Sequence, residues 1–246
     1  MTIVNFAFNK DLYTYKMFDI EKYHLKSSSL FDFLSNEETE MIKSRMTRKE
    51  YVKGEYLFKQ ASYSKGIYII RKGKVKIFQT NSDGKQSIVY IYKTRDFFGY
   101  RPLLGEEPHP VSAVAMDNTI VSFIPADLFL NILTSSSSLA KKLLINLSKE
   151  FSVWINKTTI FSQYGVKERV ALSLLILNKV YQRSDEDSRS VFISINRDDF
   201  ASFVGTAKET LVRMLRTFKD EKIITSKGTK ITILKSRTLL NMVSEM

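Results

Sequence analysis

The sequence predicts an α+β chain in three parts: a β jelly roll or barrel, a long helix, and a winged helix-turn-helix. Three observations carry this. Short β-prone runs recur at a spacing of about ten residues between positions 50 and 125. A long amphipathic run follows Pro125. Near the end, two capped helical segments flank a glycine, with a hairpin pattern directly after them.

Residues 1–28 are aromatic-rich with mixed charge and no firm periodicity, so they read either as a loose arm or as an extension folded on the body. From Ser29 to Arg48 a helical pattern places Leu30, Phe33, Leu34, Met41 and Ile42 as apolar positions, and Ser35 with Glu38 three residues on marks a helix start inside it. The β-prone runs are Tyr56–Phe58, Gly66–Arg71, Lys74–Gln79, Ser87–Tyr92 and Thr119–Ile124. Lys72-Gly73 and Asp83-Gly84 read as hairpin turns between them. The barrel part is thus expected over residues 29–137 and the long helix over 138–164. Along that helix Leu144, Leu147, Phe151, Trp154, Thr158 and Phe161 alternate steps of three and four, the seam of a two-chain coiled coil. An ordinary amphipathic helix packed on its own domain fits the same pattern. Gly165 reads as a hinge, Val166–Tyr181 as another apolar helix, and 184–189 as a charged surface loop.

Residues 165–246 form the last part. Asn196 precedes a helical run with Asp199 three residues on, an N-cap with an acidic first turn. Phe200, Phe203 and Val204 make one apolar stripe, and Gly205 supplies the positive φ that ends a helix. Thr206 is expected to cap the next helix, with Glu209 at capping-box spacing. Leu211, Met214, Leu215 and Phe218 share its buried face, which leaves Lys208, Glu209, Arg213 and Arg216 outward, where a DNA groove can be met. Two β-prone runs around Lys227-Gly228 complete a wing.

The chain of 246 residues is 43% hydrophobic, enough for a packed core. Its net charge of +12 favours an acidic partner such as nucleic acid, but the basic residues are spread along the chain and do not locate the contact. With no cysteine, disulfides, thiolate catalysis, zinc fingers and Cys-ligated clusters are excluded. With two histidines and no Gly-rich phosphate loop, no catalytic constellation or metal site stands out, and an enzyme is not expected. No run approaches a membrane span and the start lacks a signal-peptide pattern, so the expected compartment is the cytoplasm, without a membrane partner.

The order barrel, long helix, winged helix-turn-helix resembles the cyclic-AMP receptor protein/Fnr (Crp/Fnr) family of bacterial transcription regulators over roughly residues 30–235. The sharpest local matches are Gly66-Ile-Tyr-Ile-Ile-Arg-Lys-Gly-Lys-Val75 and Val204-Gly-Thr-Ala-Lys-Glu-Thr-Leu-Val-Arg213. The resemblance implies a cyclic-nucleotide-binding-like jelly roll as sensor, a dimerisation helix, and double-stranded DNA, a second copy and RNA polymerase as partners. It assigns Lys208, Glu209 and Arg213 to base reading, Arg213 on guanine and Glu209 on cytosine, on a near-palindromic operator with a TGTGA-like half-site. Glu209 equally suits the capping role. Lys208 offers a point charge instead of an arginine fork, which favours phosphate. Asn196, Arg197, Thr206 and Ala207 match positions near the DNA backbone, with Arg216, Lys227 and Lys230 as further phosphate candidates or solvated charges.

The implied effector pocket comprises Gly99, Tyr100, Arg101, Val111, Ser112, Trp154 and Ile155. Cyclic-AMP binding in the family needs a glutamate where Tyr100 stands, an arginine where Val111 stands, and a Thr-Ser pair where Trp154-Ile155 stand. A buried cyclic phosphate requires a cation or several donors. Cyclic AMP is therefore not the expected effector, unless Arg101 substitutes from the other side. An unrelated apolar ligand, no ligand, and a pocket closed by its own aromatic rings all remain open, and no cofactor is expected. The missing cysteines remove the iron–sulfur sensor, and His109, between two prolines, reads as an exposed loop residue instead of a haem ligand. A ligand-binding or protein-interaction module that has lost DNA binding is the alternative function.

Overall fold

The computed structural model describes residues 19–25, 29–182 and 191–243; the expectations for 1–18 and for the 184–189 loop fall outside them. Short 3-10 turns at Ile20–Lys22 and Leu30–Phe33 precede helix α1, Asn36–Arg45. Ser35 starts α1 through a capping box with both arms made: its hydroxyl accepts from Glu38 N–H, and Glu38 accepts from Ser35 N–H. The helical run expected to Arg48 ends sooner, because Met46 turns extended and Arg48 enters a strand; of its apolar positions Ile42 is buried and Met41 exposed.

Two four-stranded antiparallel sheets form the jelly roll. One has the order β1 (Thr47–Tyr51), β8 (Thr119–Pro125), β3 (Gly66–Lys72), β6 (Phe97–Phe98). The other runs β2 (Tyr56–Phe58), β7 (Ser112–Ala115), β4 (Lys74–Thr80), β5 (Gln86–Lys93). Between them pack Tyr68, Ile70, Val75, Ile77, Phe98 and Val121. Asp83-Gly84 does close a hairpin, β4 with β5, Thr80 opposite Gln86. Lys72-Gly73 does not. It carries the chain from β3 in one sheet to β4 in the other, so those strands never pair. Gly73 has φ +98°, and a Cβ there would lie 2.5 Å from Thr119 Oγ1 and 2.7 Å from Asp117 Oδ1, so only glycine fits.

Helix α2 (Tyr100–Gly105) lies between β6 and β7. Beyond Pro125 come α3 (Ala126–Ser135) and α4 (Ser137–Gln163). At 27 residues α4 is about 40 Å long. It buries Leu139, Leu143, Glu150, Val153 and Ile160 against its own chain. The opposite face leaves Leu144 (68%), Phe151 (67%) and Ile155 (50%) exposed. The seam read from the sequence is thereby rotated. Leu147 packs on the barrel-side core, Trp154 is half-buried, and Phe161 turns toward the last domain. Ile155, assigned to the pocket, stands on the exposed face instead.

Gly165 separates α4 from α5 (Val166–Tyr181) in an extended conformation that any residue adopts, so nothing in its backbone requires glycine. Helix α5 is the centre of the last core: Val170, Ala171, Leu174 and Leu177 are fully buried beneath α6 (Arg197–Val204), α7 (Lys208–Asp220) and α8 (Ser236–Val243). The hairpin β10 (Ile224–Lys227) and β11 (Lys230–Ile233) gains a third strand, β9 (Ile193–Ser194), which pairs with β11. This domain sits directly on the barrel. Ser202 Oγ accepts from Ile88 N–H and donates to Gln86 O, both at 2.9 Å, so α6 lies along the free edge of β5. Lys76 pairs with Asp199 beside them, both side chains largely buried.

Candidate nucleic-acid interface

The entry to α6 forms as its residues dictate. Asn196 Oδ1 accepts from Asp199 N–H at 2.7 Å, satisfying one of the orphan donors of the first turn. Phe200, Phe203 and Val204 are buried. Gly205 then adopts φ +70°, the left-handed conformation that favours glycine, and a Cβ there would press on the Phe161 ring at 2.9 Å.

Helix α7 starts one residue later than expected. Its N-cap is Ala207, which has no side-chain acceptor, and the Thr206–Glu209 capping box does not form. Thr206 instead closes the preceding turn through its N–H on Ala201 O, 3.0 Å. Glu209 is thereby released from the capping role. Among the described residues it has no hydrogen-bond or ionic partner, and it stands exposed beside Arg213 and Arg216. Lys208 is held differently: its amine pairs with Asp198 at 2.9 Å, bracing α7 against α6. Within this exposed face Val212 is 46% exposed, the one large apolar side chain there. Its signal was present in the sequence, since Val212 falls off the Leu211, Met214, Leu215, Phe218 stripe and has no core to enter.

The remaining backbone candidates divide. Arg197 Nη2 donates to Gly228 O at 3.0 Å, so this guanidinium ties the wing turn to α6, and burial lowers its pKa. Asn196 is fully engaged in its cap. Lys227 and Lys230 are directly opposite each other across the hairpin and both exposed. Two like charges facing each other are mutually destabilising until an anion joins them.

The pocket residues are only partly brought together. A cavity of about 160 Å³ is lined by Phe58, Tyr92, Phe98, Gly99, Arg101 and Val111 among others. Ser112 does not line it; its Oγ accepts from Gln60 N–H. Trp154 and Ile155 lie elsewhere. Tyr100 is buried, its hydroxyl donating to Glu150 Oε1 at 2.6 Å and accepting from Asn146 at 2.9 Å, both on α4. Burial, with Glu150 next to it, pushes the Tyr100 phenol far above its ordinary range, and burial raises Glu150 as well. Arg101 reaches Glu150 Oε2 only at 3.7 Å. His109 is not an exposed loop residue. It is 2% exposed, its ring stacked on Phe58 at 3.7 Å, and burial lowers its pKa to about 4. Proline neighbours suggested a loop, but the backbone of His109 itself accepts from Ala61 N–H and donates to Ser62 O, both at 2.8 Å, which folds it into the barrel.

The cyclic nucleotide-binding domain model matches residues 48–136, and the Crp-like helix-turn-helix domain model matches residues 168–242. The chain belongs to the Crp/Fnr family of transcription regulators. Among curated relatives, the fumarate and nitrate reduction regulatory protein of Vibrio cholerae is 25% identical over 210 residues, 85% of this chain and 84% of that protein. The transcriptional activator protein Anr of Pseudomonas protegens is 26% identical over 182 residues, 74% of each. The fold is that of FixK2 from Bradyrhizobium japonicum, TM-score 0.71 at 21% identity, covering 80% of this chain and 96% of that one. It is also that of the c-di-GMP responsive regulator CLP of Xanthomonas campestris, TM-score 0.68 at 17% identity, covering 81% and 99%. As a Crp/Fnr regulator the chain carries a DNA-binding helix-turn-helix and is not an enzyme. Among the described residues no helix is long and apolar enough to cross a membrane.

Proposed function

We propose that this Crp/Fnr regulator works as a homodimer on a near-palindromic operator, with Glu209, Val212 and Arg213 reading bases. The observation that carries the reading is the outer face of α7, where Glu209, Arg213 and Arg216 are exposed around an exposed Val212. Arg213 suits the O6 and N7 edge of guanine, Glu209 a cytosine N4, and Val212 the methyl group of thymine. Lys208, engaged with Asp198, contributes through phosphate attraction more than through base reading. Ala207 caps the start of α7, where the free N–H groups of the first turn favour phosphate, and Thr206 offers its hydroxyl beside them. The Lys227–Lys230 pair on the wing has the charge for a second phosphate contact.

The exposed strip Leu144, Phe151 and Ile155 on α4 supplies the dimer seam, flanked by Leu147, Trp154 and Thr158. Two copies joined there set their recognition helices into successive major grooves about 34 Å apart. RNA polymerase is the further partner that the family likeness supports, in the cytoplasm where the DNA is. An effector other than cyclic AMP, or none, fits the barrel. Tyr100 occupies interior space and bonds α4 directly, Val111 brings no cation, and Arg101 faces the Glu150 carboxylate. The alternative of a module that has lost DNA binding draws no support from a recognition face this free of internal partners.

The test is selection from randomised oligonucleotides with the wild type and Arg213→Ala. The wild type should return an inverted repeat. The variant should lose about 1–3 kcal/mol on that site and relax at one base pair per half-site. An unchanged preference would remove Arg213 from base reading.

A further inference from the structure

The junction of α4, α5, α6 and β5 holds a second, smaller cavity of about 90 Å³, separate from the barrel pocket. Its walls are mostly apolar, including Ile88, Trp154, Phe161 and Phe203. Two cations, Lys157 and Arg169, line it. The Lys157 amine is buried, donates to Val89 O at 3.0 Å, and otherwise meets the ring faces of Tyr90 and Phe203. Burial lowers its pKa to about 8. Arg169 bonds Gly205 O through Nη1 at 3.1 Å, while its Nε is buried with no acceptor. Among the described residues no carboxylate lies within ion-pair reach of either group. A buried donor and a buried ammonium left this way are costly unless an anion completes them.

We propose that this junction cavity binds a small carboxylate with a short apolar tail, its anion shared by Lys157 and Arg169 and its tail against Trp154 and Phe161. An apolar cavity of about 150 Å³ accepts benzene, so this smaller one suits an acid of roughly three to five carbons. The site lies where the dimer helix, the barrel edge and the helix-turn-helix meet. Arg169 also holds the carbonyl of Gly205, the residue that sets the angle between α6 and α7. An anion that draws on Arg169 therefore acts directly on the geometry of the recognition turn. The coupling half of this proposal rests on the DNA-binding reading above; the binding half does not.

Trp154 is the single tryptophan of the chain and lines the cavity, so its fluorescence reports occupancy directly. Titration of the full-length protein with butyrate should give a saturable change with Kd of about 0.1–10 mM, the range open to so few atoms. Butanol, equal in size and uncharged, should produce none. Arg169→Gln should weaken butyrate at least tenfold, and Lys157→Met should do the same provided its circular dichroism matches the wild type; Arg169→Gln carries the test alone if Lys157→Met does not fold. No saturable response to three- to six-carbon acids, an equal response to butanol, or undiminished binding by Arg169→Gln would overturn the site. Operator affinity with and without saturating butyrate tests the coupling. An unchanged affinity would overturn that half while leaving the site standing, whereas failure to bind any DNA would fall on the operator reading.

Discussion

The recognition helix and the barrel pocket handle their polar groups in opposite ways. On α7, Glu209, Arg213 and Arg216 stand exposed on one outer face. Beneath the barrel pocket, Tyr100 and Asn146 bond Oε1 of Glu150 on α4, while Glu150 Oε2 keeps only the more distant charge of Arg101 at 3.7 Å. A face with free donors and acceptors is ready for a partner. A carboxylate oxygen already bonded by Tyr100 and Asn146 must give up those bonds before a polar ligand can use it. One chain therefore carries an exposed polar face on α7 and a barrel whose α2 bonds directly to α4.

The contrast can be broken first at the proposed seam on α4. Replacing both Phe151 and Ile155 by Glu places like charges on an apolar strip twice over. Sedimentation should then report a monomer, and operator affinity should fall by more than about a hundredfold, because two half-sites are no longer held together. A dimer that survives this pair of changes would move the seam elsewhere.

The barrel side should also be the acid-sensitive side, since the segment from Arg197 to Asp220 contains no histidine. His109 is lowered to about 4 by burial, and His24, stacked on Tyr90, to about 3 by burial and the charges of Lys157 and Lys93. Both folded values lie below the unfolded 6.5, so as pH falls through 6.5 the unfolded chain takes up protons that the native chain refuses. Stability should be complete above about pH 6.5 and decline toward pH 4, with His109 alone worth on the order of 3 kcal/mol by then. Urea melts across that range should flatten when both histidines are replaced by Phe, which preserves the ring stacking. A profile that stays steep would assign the acid sensitivity to other groups.

A smaller effect separates self-bonded pocket from open pocket. Tyr100→Phe removes the hydroxyl that bridges Glu150 and Asn146 and should cost about 1–3 kcal/mol in the melting of the folded chain. A neutral outcome would mean that the bridge does not join α2 to α4. The smallest effect sharpens the other side. If Val212 meets a thymine methyl, replacing that thymine by deoxyuridine should weaken the wild type by about fourfold, the worth of one buried methyl group. Val212→Ser should be indifferent to the same exchange. Equal sensitivity in both proteins would place the methyl against another residue.

Much of this architecture was legible along the chain because its signals are local. The Ser35–Glu38 box, the Asn196 cap, Gly205 and the Asp83-Gly84 hairpin each depend on residues within a few positions, and each forms. The misreadings share a different property. Lys72-Gly73 has the composition of a hairpin, yet whether two strands pair depends on which sheet each joins, and β3 finds β8 about fifty residues away. Thr206 has the chemistry of a cap, but the tight turn at Gly205 uses its backbone for Ala201 and delays the helix to Lys208. His109 reads as exposed until Phe58 covers it.

The sequence by itself determined the order of parts and the buried stripe of α7, because periodicity and capping are properties of neighbours, and its motifs carry the family resemblance that implies no phosphate cation at Val111. Only the tertiary structure decided which face of α4 stays exposed, that Lys208 is engaged with Asp198 while Glu209 is not capping, and that Lys157 and Arg169, without a carboxylate partner among the described residues, line one cavity at the junction of barrel and helix-turn-helix. Those outcomes depend on contacts between residues far apart in the chain, such as Lys157 with Val89 or Arg169 with Gly205, and such proximity has no local signature to read.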